Sequence, residues 1–165
     1  MGLIRMLKHL CATHAGTRRR FPREVLEAIE QAVADAERKT SGEIRFAIET
    51  QLAIHELWND KSPRESAAET FARLHVWDSE LNNGVLIYVL MADRDVEIVA
   101  DRGAAARISP AEWEAACRLM ETHFREGRFK DGALAGVDAV GRLLEREFPS
   151  RPGDRDELPN QPALL

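Results

Sequence analysis

Asn82-Asn83-Gly84-Val85-Leu86-Ile87-Tyr88-Val89-Leu90 is the stretch that decides the fold. Asn and Gly tolerate the backbone of a tight turn, so Asn-Asn-Gly reads as turn chemistry. The run from Val85 to Leu90 has no charged or strongly polar interruption, as expected of a strand covered on both faces. It is therefore placed at the centre of a sheet. Downstream, Ala92-Asp93-Arg94-Asp95 turns the chain into Val96-Glu97-Ile98-Val99-Ala100, whose alternation suits a strand pairing back antiparallel.

Upstream, Glu43-Ile44-Arg45-Phe46-Ala47-Ile48-Glu49 puts Ile44, Phe46 and Ile48 on one face at period two, just after the break Ser41-Gly42. Between these strands, Ser62-Pro63-Arg64-Glu65 has the form of a capping box with Pro at the first helical position, followed by an apolar stripe of Ala67, Ala68, Phe71 and Leu74. Strand, helix and strand make a βαβ crossover, so the first two strands should be parallel. Phe21, Val25, Ile29 and Val33 mark a helix before the sheet. Ser109-Pro110-Ala111-Glu112 opens a helix through Phe124, and Leu134, Val137, Val140, Leu144 and Phe148 mark the last. The expected fold is α/β: a three-layer α/β/α sandwich with a small mixed sheet and about four helices. It should occupy residues 21–148, between a basic N-terminal arm (1–20) and a proline-rich tail (149–165) expected to be disordered.

At 165 residues, 44% hydrophobic and 31% charged, the chain suits one self-sufficient domain. Residues 1–20 carry Arg5, Lys8, Arg18, Arg19 and Arg20 and no acid. That is +5 within a chain of net −5, so the remainder carries −10. A body of that sign repels phosphate backbones and excludes nucleic acid as its partner. The arm can meet an anionic surface, and Leu3, Ile4, Leu7 and Leu10 would line one face of a basic helix, suiting peripheral membrane contact. No run approaches the roughly 18 apolar residues of a spanning helix, and no signal-peptide pattern is read, which makes the cytoplasm the expected address. Two cysteines imply no disulfide framework.

The strand directions assemble a candidate site. With two parallel strands and a third running back, Glu43, Asn82, Asn83 and Asp101 fall at one end of the sheet, joined by Asp78 and Glu80 from the loop entering the second strand. This is an oxygen-only set, suited to Ca²⁺ or Mg²⁺ and not to Zn²⁺. The plainer reading is a turn with a solvated acidic rim. Other chemistries find less support. Asp93-Arg94-Asp95-Val96 has the outline of an aspartyl-phosphatase nucleophile motif, but Glu97 stands at its fifth position and no Gly-Asp metal motif follows. The five histidines form no i, i+4 pair, and Cys117 lacks a phosphate-cradling loop, so it reads as an inert helical thiol. Trp58, Trp77 and Trp113 read as core or lid packing, with partner contact the alternative.

Ser41-Gly42-Glu43-Ile44-Arg45, Asn82-Asn83-Gly84-Val85-Leu86-Ile87 and Val96-Glu97-Ile98-Val99-Ala100-Asp101-Arg102-Gly103 resemble the TPM domain family, as do Trp113, Phe124, Gly127, Phe129, Gly132 and Gly136 in the closing helical region. The resemblance spans about residues 21–148. It implies a three-layer α/β/α domain, and metal ligands at Asp78, Glu80, Asn82 and Asp101. Divalent cation binding and acid phosphatase activity are ascribed to members of the family, some act in thylakoids during photosystem II repair, and many bacterial ones are secreted or membrane-anchored. Where members often carry Gly-x-Gly-Leu-Glu after the third strand, this chain has Arg102-Gly103-Ala104-Ala105-Ala106. The function expected is a binding domain that takes a divalent cation and acts as an accessory to membrane or stress-response proteins. The alternative is a weak metal-dependent acid phosphatase, with Asp101 and Glu80 holding the cation and the helix end at Ser109 receiving phosphate.

Overall fold

In the computed structural model, which describes residues 2–153 and 157–165, β1 (Glu43–Glu49), β2 (Gly84–Leu90), β3 (Asp95–Ala100) and β4 (Ala163–Leu164) form one sheet in the order β3-β2-β1-β4. β1 pairs parallel with β2, and β2 antiparallel with β3, as the sequence pattern requires. The apolar run of β2 is interior to the sheet and wholly buried. Its odd-numbered residues Val85, Ile87 and Val89 enter one core with Ile44, Phe46 and Ile48, and its even-numbered residues Leu86, Tyr88 and Leu90 enter another with Ala47.

The first core is covered by α3 (Arg23–Glu37), α7 (Pro110–Arg125) and α8 (Phe129–Glu147), the second by α4 (Ile54–Trp58) and α5 (Pro63–Arg73). This is the three-layer sandwich. The α5 capping box forms as read, with Glu65 N donating to Ser62 Oγ at 3.2 Å and Ser62 N to Glu65 Oε2 at 2.7 Å. Close packing of α8 on α7 depends on Gly136, where a Cβ would lie 2.1 Å from Met120 Sδ.

Eight helices are described, not about four. α4 and α6 (Arg102–Arg107) hold only 5 and 6 residues, shorter than the window over which helical periodicity shows. The other two lie in the arm, α1 (Leu3–Cys11) and α2 (His14–Arg20). The arm is folded onto the body: Arg5 Nη2 lies 2.9 Å from Asp93 Oδ2, and the buried His9 accepts from Leu52 N at 3.0 Å. His9 Nδ1 accepts that bond, and its Nε2 lies 3.2 Å from Asp93 Oδ1. The tail is corrected too. Apart from residues 154–156, which lie outside the described residues, it is placed: Leu158 is buried, and β4 adds parallel to the free edge of β1.

Candidate functional site

The register brings the predicted end of the sheet together. Glu43 is level with Gly84, Val85 with Ala100, and Asp101 N donates to Gly84 O at 2.8 Å. Asn82, entering β2, adopts φ +53°, and its carbonyl accepts from Gly103 N at 2.8 Å, docking the start of α6 on the turn. Gly103 is held so close that a Cβ would lie 2.5 Å from Asn82 O and 2.7 Å from Leu81 O.

The six predicted residues divide by their partners. Glu43 is buried, and its carboxylate accepts from Glu157 N at 3.2 Å and Leu158 N at 3.1 Å, so it pins the tail. Asn83 is buried and donates from Nδ2 to Ser41 O at 2.7 Å while its N–H donates to Ser79 Oγ at 3.1 Å, which stitches β2 to the start of β1. Asn82 Oδ1 accepts from Arg102 Nε at 3.0 Å. Asp78 and Glu80 are exposed, and Glu80 N donates to Glu157 Oε2 at 3.0 Å. Asp101 caps α6 through Oδ1, which accepts from Arg102 N at 2.7 Å, while Oδ2 is buried without a hydrogen-bond partner among the described residues.

The chemistry available here is binding by oxygen. Among the described residues no three His, Cys, Asp or Glu side chains gather as a ready-made metal cage. A cation there would rest on Asp101, with backbone carbonyls and water completing its shell. Beside it, Glu80, Leu81, Asn83, Arg151 and Glu157 line a cleft of about 370 Å³. Ser79 and Glu157 escaped the sequence reading, since Ser79 shows no pattern and Glu157 sits in a tail whose composition suggests disorder.

Of the remaining candidates, Cys117 and Trp113 are structural, and Trp58 and Trp77 depart from the expected core packing. Burial, first of all, pushes the Cys117 thiol up to about 12, which leaves it unreactive at neutral pH. Trp113 is buried in the core, whereas Trp58 and Trp77 stand exposed. No helix among the described residues is long and apolar enough to cross a membrane.

The TPM domain family's sequence pattern matches residues 20–143. Among solved structures, the BA42 protein of the psychrophilic bacterium Bizionia argentinensis is 34% identical, with a TM-score of 0.76 over 86% of this chain and 93% of that one. The N-terminal domain of a P. gingivalis protein (19% identity, TM-score 0.60, 76% of this chain and 77% of that one) and that of cg2496 from Corynebacterium glutamicum (14%, 0.54, 74% and 72%) share the fold. No functionally curated protein matches the chain. With the family pattern covering most of its length and agreeing with the fold described above, this chain belongs to the TPM domain family.

Proposed function

We propose that this chain is a non-catalytic TPM-type binding domain that takes a divalent cation, Ca²⁺ or Mg²⁺, at the Asp101 end of its sheet, and that works as an accessory at a membrane surface. The observation supporting the cation is Asp101 Oδ2, a buried carboxylate oxygen with no donor among the described residues. Such an oxygen costs on the order of 1–3 kcal/mol, which a hard cation would recover. Arg102, whose main-chain N–H donates to that carboxylate and whose guanidinium holds Asn82 Oδ1, opposes a second positive charge. The affinity expected is therefore weak, roughly 10⁻⁴–10⁻³ M.

An NMR titration of the ¹⁵N-labelled chain tests this. Ca²⁺ should produce saturable shifts at the amides of Asp78–Gly84 and Asp101–Gly103, Mg²⁺ a weaker set, and Asp101→Asn should weaken binding by at least about tenfold. Silence of those amides, or shifts untouched by Asp101→Asn, would remove the cation from the reading. The phosphatase alternative has less support. The α7 end that would receive phosphate is closed by Glu112, which accepts from Ser109 N at 3.0 Å and from its hydroxyl at 2.8 Å. Arg146 and these Ser109 bonds hold the Glu112 carboxyl down to about 2, so a carboxylate already occupies the place a phosphate would take.

The accessory role rests on α1. Its inner side is occupied by Arg5 and His9, and Leu3, Ile4, Leu7 and Leu10 are left exposed beside Lys8, with Arg18, Arg19 and Arg20 following on α2. An anionic lipid surface satisfies both features. Co-sedimentation with phosphatidylserine-containing vesicles should fall as salt rises and be lost in Leu3→Asp/Leu7→Asp. Equal recovery of the variant and wild type would sink the membrane assignment.

A further inference from the structure

β1 and β2 end on the far side of the sheet from Asp101, and there the arm closes over the body to leave a second cleft of about 570 Å³. That is within the roughly 300–1,000 Å³ of small-molecule pockets, and the carboxyl ends of parallel strands are where open α/β sheets receive ligands. Its charged lining is Lys8, Arg20, Arg94 and Arg125, with no acid, and its apolar lining includes Val89, Met91, Phe124 and Phe129.

Four cations at this place have a partial ordinary explanation, since α1 and α7 bring their C-terminal turns to it, while α2 lines it at both ends and α8 begins at it with Phe129. A helix C-terminus carries about half a negative charge and an N-terminus about half a positive one, so these ends together amount to about −0.5. Arg125 is also paired with Glu121 at 2.7 Å. Those terms leave a surplus of more than one positive charge. Among the described residues no carboxylate pairs with Lys8, Arg20 or Arg94, and the nearby Asp93 is occupied by Arg5 and His9. Arg94 holds φ +56°, a left-handed conformation that costs a non-glycine residue about 1–2 kcal/mol, at the point where it reaches the cleft. Helix ends therefore account for only part of the charge.

We propose that this cleft binds a small organic carboxylate with an aromatic or branched apolar body. The surplus suits an anion, and a guanidinium fork matches a carboxylate. The Arg20 guanidinium stacks over the Phe129 ring at 5.5 Å from its centroid, so the charged and apolar walls adjoin. Two wall hydroxyls are held in place by the bonds they accept, Thr13 Oγ1 from Gly16 N at 3.0 Å and Thr17 Oγ1 from Thr50 Oγ1 at 3.0 Å. The apolar wall of Val89, Met91, Phe124 and Phe129 offers nothing to the extra oxygens of a phosphate and suits an organic body. This site is independent of the cation reading.

The test is an NMR and calorimetric titration of the full chain with phenylacetate, beside acetate (head without body), phenylacetamide (body without charge) and inorganic phosphate. Phenylacetate should shift the amides of Met91–Arg94 and Phe124–Phe129 saturably and bind at least about tenfold more tightly than each of the other three. Arg94→Gln, and separately the exposed Lys8→Gln, should each weaken it several-fold while leaving the Ca²⁺ response at Asp101 and the thermal midpoint unchanged. No saturable shift, equal binding of phenylacetamide, phosphate binding as tightly as phenylacetate, or both variants retaining wild-type affinity would overturn the assignment.

Discussion

Gly84→Ala is expected to destabilise the protein by about 3 kcal/mol or more, the upper end of what overpacking costs. Gly84 is the first residue of β2, and a Cβ there would lie 2.0 Å from the backbone oxygen of Val76. The obstacle cannot rotate away, because Val76 is buried in the second core and its N–H donates to Phe71 O at 3.1 Å. Nor can Gly84 retreat: it is in register with Glu43, and its carbonyl accepts from Asp101 N. For a chain of this length the loss corresponds to a fall in Tm of about 6–12 °C. Urea unfolding measures it, with Gly2→Ala as control, since a Cβ on Gly2 meets nothing within 4 Å. A midpoint within error of wild type would show that the β2 entrance yields more readily than this packing allows. Because Asp101 hangs on the Gly84 carbonyl, the substitution should also blunt any Ca²⁺ response at the sheet end.

The same residue shows what the sequence could disclose. Asn82-Asn83-Gly84 was legible as a turn, and the apolar run behind it as a central strand, because both signals are local and strong. From them follow the parallel pairing of β1 with β2, the reversal into β3, and the meeting of Glu43, Asn82, Asn83 and Asp101 at one end. What each of those residues does there was not legible, because their partners are remote. Glu43 is spoken for by amides of residues 157 and 158, and Asn83 by the carbonyl of Ser41. The burial of the arm through His9 and Arg5 rests on contacts with Leu52 and Asp93, which no periodicity announces. The tail misled for a compositional reason: its prolines suggest disorder, yet two residues of β4 and one buried leucine tie it down. The cationic cleft was hidden because Lys8, Arg20, Arg94 and Arg125 come from four separate elements.

Asp95→Asn should stabilise the protein at neutral pH by on the order of 2 kcal/mol and change little near pH 4. Asp95 opens β3, where burial first, and then the negative charges of Glu97, Glu121 and Asp93, raise its carboxyl from 3.8 to about 6. A carboxyl whose folded pKa lies above its unfolded value folds more readily when protonated. Its contribution is fully present below about pH 3.8 and is lost as pH rises through about 6, so at neutral pH the ionised group opposes folding. Asparagine keeps the shape and removes the charge. The size follows from about 1.4 kcal/mol per tenfold change in proton affinity, reduced because the side chain is only partly buried. Burial also raises Glu49, which accepts from Tyr88, so the wild type carries a second group of the same sign that Asp95→Asn leaves in place. Unfolding free energies of both proteins at about pH 4 and pH 7.5 decide the matter. A gain confined to the higher pH is the expected outcome. An equal gain at both would trace the effect to packing, and a loss at the higher pH would show that ionised Asp95 is compensated by Arg5, whose charge pulls its pKa down.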